Sequence, residues 1–283
     1  MPYKLPILAT IADGYRFLAG RFTAWFQLAI IPLAIWAAVE FAVSNGLLAG
    51  ANPGPGSDSN LAANGSLNAT FFVAYLIVTI ALLLYAVALH RLVLDLPGSA
   101  GAFVWLAWRR RHLRYVGHGV VVAGILLIGI LVTGTLVPAV GAVAGAAGAL
   151  ESAAGQVTLT VIVLLLFAVP IALLTCMVLP ALPAAAVEDH AVTLSEASNQ
   201  AKGNLWRMTF VFLLGGLVPF WLIKRGIAFL IDRSLSDIDT AIAAGTTRIV
   251  VNFVGFTVLI VLLSLVYRRL RDNTTLRVDQ PPR

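Results

Sequence analysis

The chain has 283 residues, 60% of them hydrophobic and 11% charged, and a mean hydropathy of +0.93. Soluble domains carry about 25% charged residues, so this composition cannot clothe one water-facing surface. It excludes a soluble globular domain, a disordered chain and a disulfide scaffold. The formal charge of +6 is no argument for nucleic acid, because basic residues in a membrane protein mark the cytoplasmic side.

At about 20 apolar residues per spanning helix, six spans and their connections use the whole length and leave no room for a separate soluble catalytic domain. The first apolar stretch, Leu5 to Ala12, is short and is followed by Asp13, Tyr15 and Arg16, which does not fit a signal peptide. From Ile7 to Gly20, Ile11, Tyr15, Leu18 and Phe22 share one helical face, so this segment reads as an amphipathic helix. Span one follows at Phe22 to Val43, with Pro32 inside it and Glu40 near its outer end. Ser44 to Ala69 is rich in Gly, Ser, Asn and Pro and reads as an outside loop. Its Asn64-Gly65-Ser66 and Asn68-Ala69-Thr70 match the glycosylation pattern by chance.

Span two is expected at Thr70 to Leu89. A second amphipathic segment, Phe103 to Arg114, puts Trp105, Trp108 and His112 on one face with Arg110 and Arg114 beside it. Span three runs from Val116 to Val137, with His118 near its inner end, and a run of small residues from Ala139 to Gly155 contains Gly141-xxx-Gly145. Span four, Thr158 to Leu179, holds Pro170 and the one cysteine, Cys176, which reads as an inert core thiol; Pro180 and Pro183 close it. Glu188-Asp189-His190 comes next, but adjacent residues at a helix end do not converge on a metal. A third amphipathic helix, Leu194 to Leu205, starts at the capping box Thr193-Leu194-Ser195-Glu196. Span five, Trp206 to Ile223, is short and holds Gly215-Gly216 and Pro219; a short outside helix is expected within Asp232 to Gly245; span six runs from Ile249 to Val266. None of these runs alternates as a barrel strand would, so helices are the spanning option left. The fold class is therefore all-α: a polytopic membrane protein with six transmembrane helices and cytoplasmic amphipathic helices, forming one membrane domain over residues 1–275 and a cytoplasmic tail over 276–283.

With both termini in the cytoplasm, 15 basic residues fall inside and 4 outside, while acidic residues split seven to six. This is the positive-inside pattern, and it gives the orientation, with both termini in the cytoplasm. Each amphipathic segment is followed by a span, an outside loop and a returning span, so the layout suggests a threefold parallel hairpin repeat over 5–95, 96–190 and 191–275. The inner surface is the most distinctive feature. Trp105, Trp108, Arg109, Arg110, Arg111, Arg114, Lys202, Trp206 and Arg207 form an expected lipid interface, with indole rings at headgroup depth and basic residues attracted to anionic lipid. Ionisable residues are almost absent at depth, which disfavours a proton-driven carrier. No catalytic, dinucleotide or P-loop motif occurs, and the sequence calls for no catalytic, metal or cofactor site.

Leu179-Pro180-Ala181-Leu182-Pro183, then Glu188 and Asp189, then Leu194-Ser195-Glu196-Ala197, then Ala201-Lys202-Gly203-Asn204-Leu205-Trp206-Arg207, resembles a pattern in YciC-like six-span bacterial inner-membrane proteins. These are related to the membrane domain attached to some glycerophosphodiester phosphodiesterases. The match covers about 30 residues plus the span layout. The resemblance implies a six-helix inner-membrane fold in which Glu188, Lys202, Gly203, Asn204 and Arg207 meet on the cytoplasmic side, in capping, turn and anchoring roles. The phosphodiesterase barrel is missing, so its activity does not carry over. The expected function is a non-enzymatic, lipid-contacting scaffold or envelope-complex component. The alternatives are a transporter or channel for a small solute or lipid between the proline-kinked helices, and an enzyme acting on lipid-linked substrates. The partners expected are anionic membrane lipids, with no nucleic acid.

Overall fold

A computed structural model describes residues 3–44, 60–96, 109–146, 155, 158, 162, 169–234 and 237–278. Among them the chain is helical and contains no strand. The elements are α1 (Ile7–Gly20), α2 (Phe22–Ser44), α3 (Asn60–Val93), α4 (Arg110–Ala146), α5 (Val169–Val178), α6 (Ala181–Ala186), α7 (Leu194–Ala201), α8 (Leu205–Phe212), a π-turn (Leu213–Leu217), α9 (Val218–Ser234) and α10 (Asp237–Val278).

Six stretches are long and apolar enough to span a membrane: Phe22–Val43, Ala69–Val93, Arg110–Gly129, Val169–Ala186, Leu205–Leu230 and Thr247–Asp272. The protein is thus a multi-pass membrane protein of the expected all-α class. Apolar runs become helices there because a helix satisfies every backbone group within one segment, which lipid cannot do. The sixth span is the most enclosed, with 67% of its apolar window buried, against 17% for the first. Only protein-facing surface counts as buried, so the first span is mostly turned to lipid.

Several boundaries differ from expectation. The fourth apolar stretch runs on through Pro180 and Pro183 to Ala186, and the fifth continues past Ile223 to Leu230. α4 begins at Arg110 and continues into the third span, so Arg110 to Arg114 form its opening turn and not the end of a separate surface helix. Residues 103–108 of that expected helix lie outside the described residues. The short outside helix also does not stand alone, because α9 continues to Ser234 and α10 starts at Asp237 and is unbroken to Val278. No proline interrupts residues 237–278, and without one a helix has no strong reason to stop.

The chain divides into two compact units. One comprises Met1–Thr10, Arg110–Val211 and Leu263–Arg283. In it α4 and α5 approach closely at Gly129, where an added Cβ would lie 2.7 Å from Ile171 Cδ1. Small residues permit this kind of helix contact in lipid. A crevice of about 280 Å³ beside it is lined by apolar side chains, among them Ile125, Ile128, Pro170 and Leu174.

The other unit comprises Ile11–Arg109 and Phe212–Leu262. Its centre is aromatic. Tyr85 of α3 packs on Phe253 of α10 at 5.1 Å between centroids, and Trp36 of α2 reaches the same ring at 6.5 Å. The buried Tyr85 hydroxyl shares a 2.9 Å hydrogen bond with Thr257 Oγ1, so its polar end is satisfied at depth. Near the other end of α2, Glu40 pairs with Arg248 at 2.6 Å and accepts from Trp36 Nε1 at 3.3 Å.

Candidate functional site

The densest polar architecture is in the first unit, at the ends of α4, α6, α8 and α10. It starts from a local break in the chain. Thr193 caps α7, its hydroxyl accepting from Glu196 N–H at 3.2 Å as the capping-box sequence predicts. α7 then stops at Ala201, and Gly203 adopts φ +81°, a left-handed conformation that costs any residue with a Cβ about 1–2 kcal/mol. That turn delivers Asn204, which is buried, to the start of α8.

Asn204 grips the segment ahead of α1. Its Oδ1 accepts from Leu5 N–H at 2.8 Å, and its Nδ2 donates to the Tyr3 carbonyl at 3.0 Å. One turn along α8, Arg207 Nη1 donates to the Leu5 carbonyl at 2.9 Å. From α10, Arg269 Nη1 donates to Thr10 Oγ1 at 2.7 Å and to the Pro6 carbonyl at 3.4 Å. Leu5 is fully buried between these contacts. Tyr3 to Pro6 is therefore a strap: a non-helical backbone read by side-chain donors and acceptors and pinned by one apolar anchor.

Next to the turn after α6, Glu188, Asp189 and His190 splay to three different partners. Glu188 has φ +62°, so the chain reverses sharply there. Its Oε1 lies 3.7 Å from Arg111 Nη1 of α4. Asp189 Oδ2 accepts from the Tyr267 hydroxyl at 2.6 Å and pairs with Arg271 Nε at 3.2 Å, both from α10. His190 Nδ1 accepts from Arg114 Nη1 at 2.8 Å, and the Val192 carbonyl accepts from Arg114 Nη2 at 3.2 Å. Because a guanidinium only donates, Nδ1 of His190 carries no proton in this arrangement. His118 Nδ1 lies 3.1 Å from the Ala181 carbonyl. The tripeptide thus ties α4 and α10 to the end of α6. Among the described residues no group of three His, Cys, Asp or Glu side chains could hold a metal.

The expected interface residues separate into two sets. Arg111 is buried, and it, Arg114 and Arg207 are engaged within the protein. Arg109 and Arg110 are exposed, Lys202 is exposed with Nζ donating to Asn199 Oδ1 at 2.8 Å, and Trp206 is 54% exposed. Trp105 and Trp108 lie outside the described residues. The resemblance implied that Glu188, Lys202, Gly203, Asn204 and Arg207 share one side, and these residues all lie in the first unit.

Sequence reading missed Tyr267, Arg269 and Arg271 as partners, and the strap itself. The run Arg268-Arg269-x-Arg271 counts toward orientation, but nothing in its spacing reveals contacts with residues near 6 and 189. Comparisons with protein-family models, with curated proteins and with solved structures find no match for this chain.

Proposed function

We propose that this chain is a bacterial inner-membrane protein, with both termini in the cytoplasm, that acts as a non-enzymatic lipid-contacting scaffold or a component of an envelope complex. We place it with the YciC-like six-span proteins. The observation that carries the reading is the charge asymmetry, 15 basic residues on one side against 4 on the other, together with the exposure of Arg109, Arg110, Lys202 and Trp206 at that side. Basic residues near an anionic leaflet contribute about 1 kcal/mol each, and the exposed indole suits the headgroup layer. Arg111, Arg114 and Arg207 hold the frame that presents them. The apolar lining of the crevice between α4 and α5 suits a lipid tail better than a hydrated solute, which favours lipid contact over a carrier of small polar solutes.

The test is native mass spectrometry of the protein released from membrane patches. Replacing Arg109, Arg110 and Lys202 together by Gln should lower co-purified anionic lipid roughly tenfold or more, while the zwitterionic lipid stays constant. Equal anionic retention would contradict the reading.

A further inference from the structure

The end of α3 leaves a cation without internal work. Its last carbonyls are taken by the backbone that follows: Leu94 N–H donates to the His90 carbonyl at 3.0 Å, Asp95 N–H to Leu92 at 3.3 Å and Leu96 N–H to Arg91 at 3.0 Å. Asp95 closes this turn with φ +55°. The Arg91 side chain is therefore not needed to cap the helix. The nearest acid in sequence is also committed, because Asp95 Oδ1 pairs with Arg21 Nη1 at 2.6 Å. Among the described residues no carboxylate pairs with Arg91. Arg91 is half-buried, and its Nε is buried with no hydrogen-bond partner. Of its three side-chain nitrogens only Nε is closed off in this way, so the outer edge of the guanidinium is open. A charge walled off on one side is poorly screened, and an anion on its open edge is held more strongly than at a fully hydrated surface.

This corner stands at headgroup depth. Arg91 lies just inside the end of the second span and Arg21 just before the first, and the Arg21–Asp95 pair ties the two ends together. From Arg21 the chain runs directly into α2, where Phe22, Phe26 and Ile30 follow at intervals of four and so lie along one helical face. They are 54%, 41% and 48% exposed, and the rings of Phe22 and Phe26 stack at 5.3 Å between centroids. Two guanidinia with one carboxylate between them thus sit at the head of an apolar ridge. We propose that this corner is a site for one anionic phospholipid, whose phosphodiester is taken by Arg91 with Arg21 at the same end, and whose acyl chain lies along Phe22, Phe26 and Ile30. A guanidinium fork matches phosphate oxygens. The surplus positive charge selects a net-negative headgroup, because a zwitterionic one brings its own ammonium. The site rests on the lipid-contacting reading above but uses none of Arg109, Arg110 and Lys202, so the two can fail separately.

The test is photo-crosslinking on the full chain in bilayer discs of equimolar phosphatidylglycerol and phosphatidylcholine. A benzophenone label at Ile30→Cys, in a Cys176→Ala background, reports which lipid lies on the ridge. It should capture phosphatidylglycerol over phosphatidylcholine roughly tenfold. Arg91→Gln should bring the ratio back to that of the bilayer, whereas joint replacement of Arg109, Arg110 and Lys202 by Gln should leave the preference in place. Equal capture of the two lipids, a preference that survives Arg91→Gln, or its loss in the triple variant would overturn the site. Excess inorganic phosphate should not lower the preference; if it does, the corner belongs to free phosphate and the lipid assignment falls. If Arg91→Gln does not accumulate, Arg91→Lys, which keeps the charge and loses the fork, should lower the preference severalfold, and an undiminished preference would equally overturn the proposal.

Discussion

Asn204 offers both an acceptor and a donor to the non-helical segment ahead of α1, at Leu5 N–H and the Tyr3 carbonyl. Asn204→Ala leaves a buried N–H without its acceptor, a loss of about 2–3 kcal/mol when the second bond is included. The strap should then open, and trypsin should cut after Lys4 tens of times faster than in the parent protein; an unchanged rate would mean that Leu5 burial and the Arg207 and Arg269 contacts hold the segment without Asn204. Asp189 carries a second expectation. Asp189→Ala leaves the Tyr267 hydroxyl without its acceptor and should cost about 1–3 kcal/mol in unfolding from mixed micelles. Asp189→Asn keeps an acceptor for Tyr267 and should cost clearly less. The sequence showed which residues were polar and near the ends of spans, yet it gave Arg111 and Arg114 to the headgroups. Their partners, Glu188 and His190, lie more than 70 residues away, and no local spacing encodes such a pairing.

Helices were most legible where lipid forces the issue. All six apolar runs became spans, and the capping box marked the start of α7 at the right residue. The end of α7 was less legible, because Ala201 to Leu205 keeps an acceptable helical face while Gly203 turns left-handed. Gly203→Ala should cost about 1–2 kcal/mol from backbone strain alone, since no atom lies within 4 Å of the added Cβ. A melting temperature unchanged by that substitution would show that the turn relaxes freely. Helix length outside the bilayer was also hidden. At 1.5 Å per residue the 42 residues of α10 extend about 63 Å, twice the hydrocarbon thickness of about 30 Å. Hydropathy reports only the part in lipid. The π-turn lay further out of reach: Gly215-Gly216 and Pro219 made span five look weak, but the hydroxyl that meets the Gly215 carbonyl comes from Tyr15 of α1, 200 residues back.

For the molecule as a whole, the scarcity of charge identifies the solvent and its placement carries the proposed direction. The first unit concentrates its ion pairs where Glu188, Asp189, Arg111 and Arg271 meet, and the second carries Glu40 with Arg248 near the other end of α2. The pair at Glu40 is largely open on the arginine side, 61% exposed, so Arg248→Ala should change stability by no more than about 1 kcal/mol. Orientation rests on the 15 to 4 division of basic residues, and the lipid-facing role depends on that orientation. It is tested most directly by fusing a phosphatase active only after export at Asp58, between α2 and α3, and at Ser99, between α3 and α4. Activity at Asp58 and silence at Ser99 are expected; activity at Ser99 would turn the basic surface outward and contradict the proposed role.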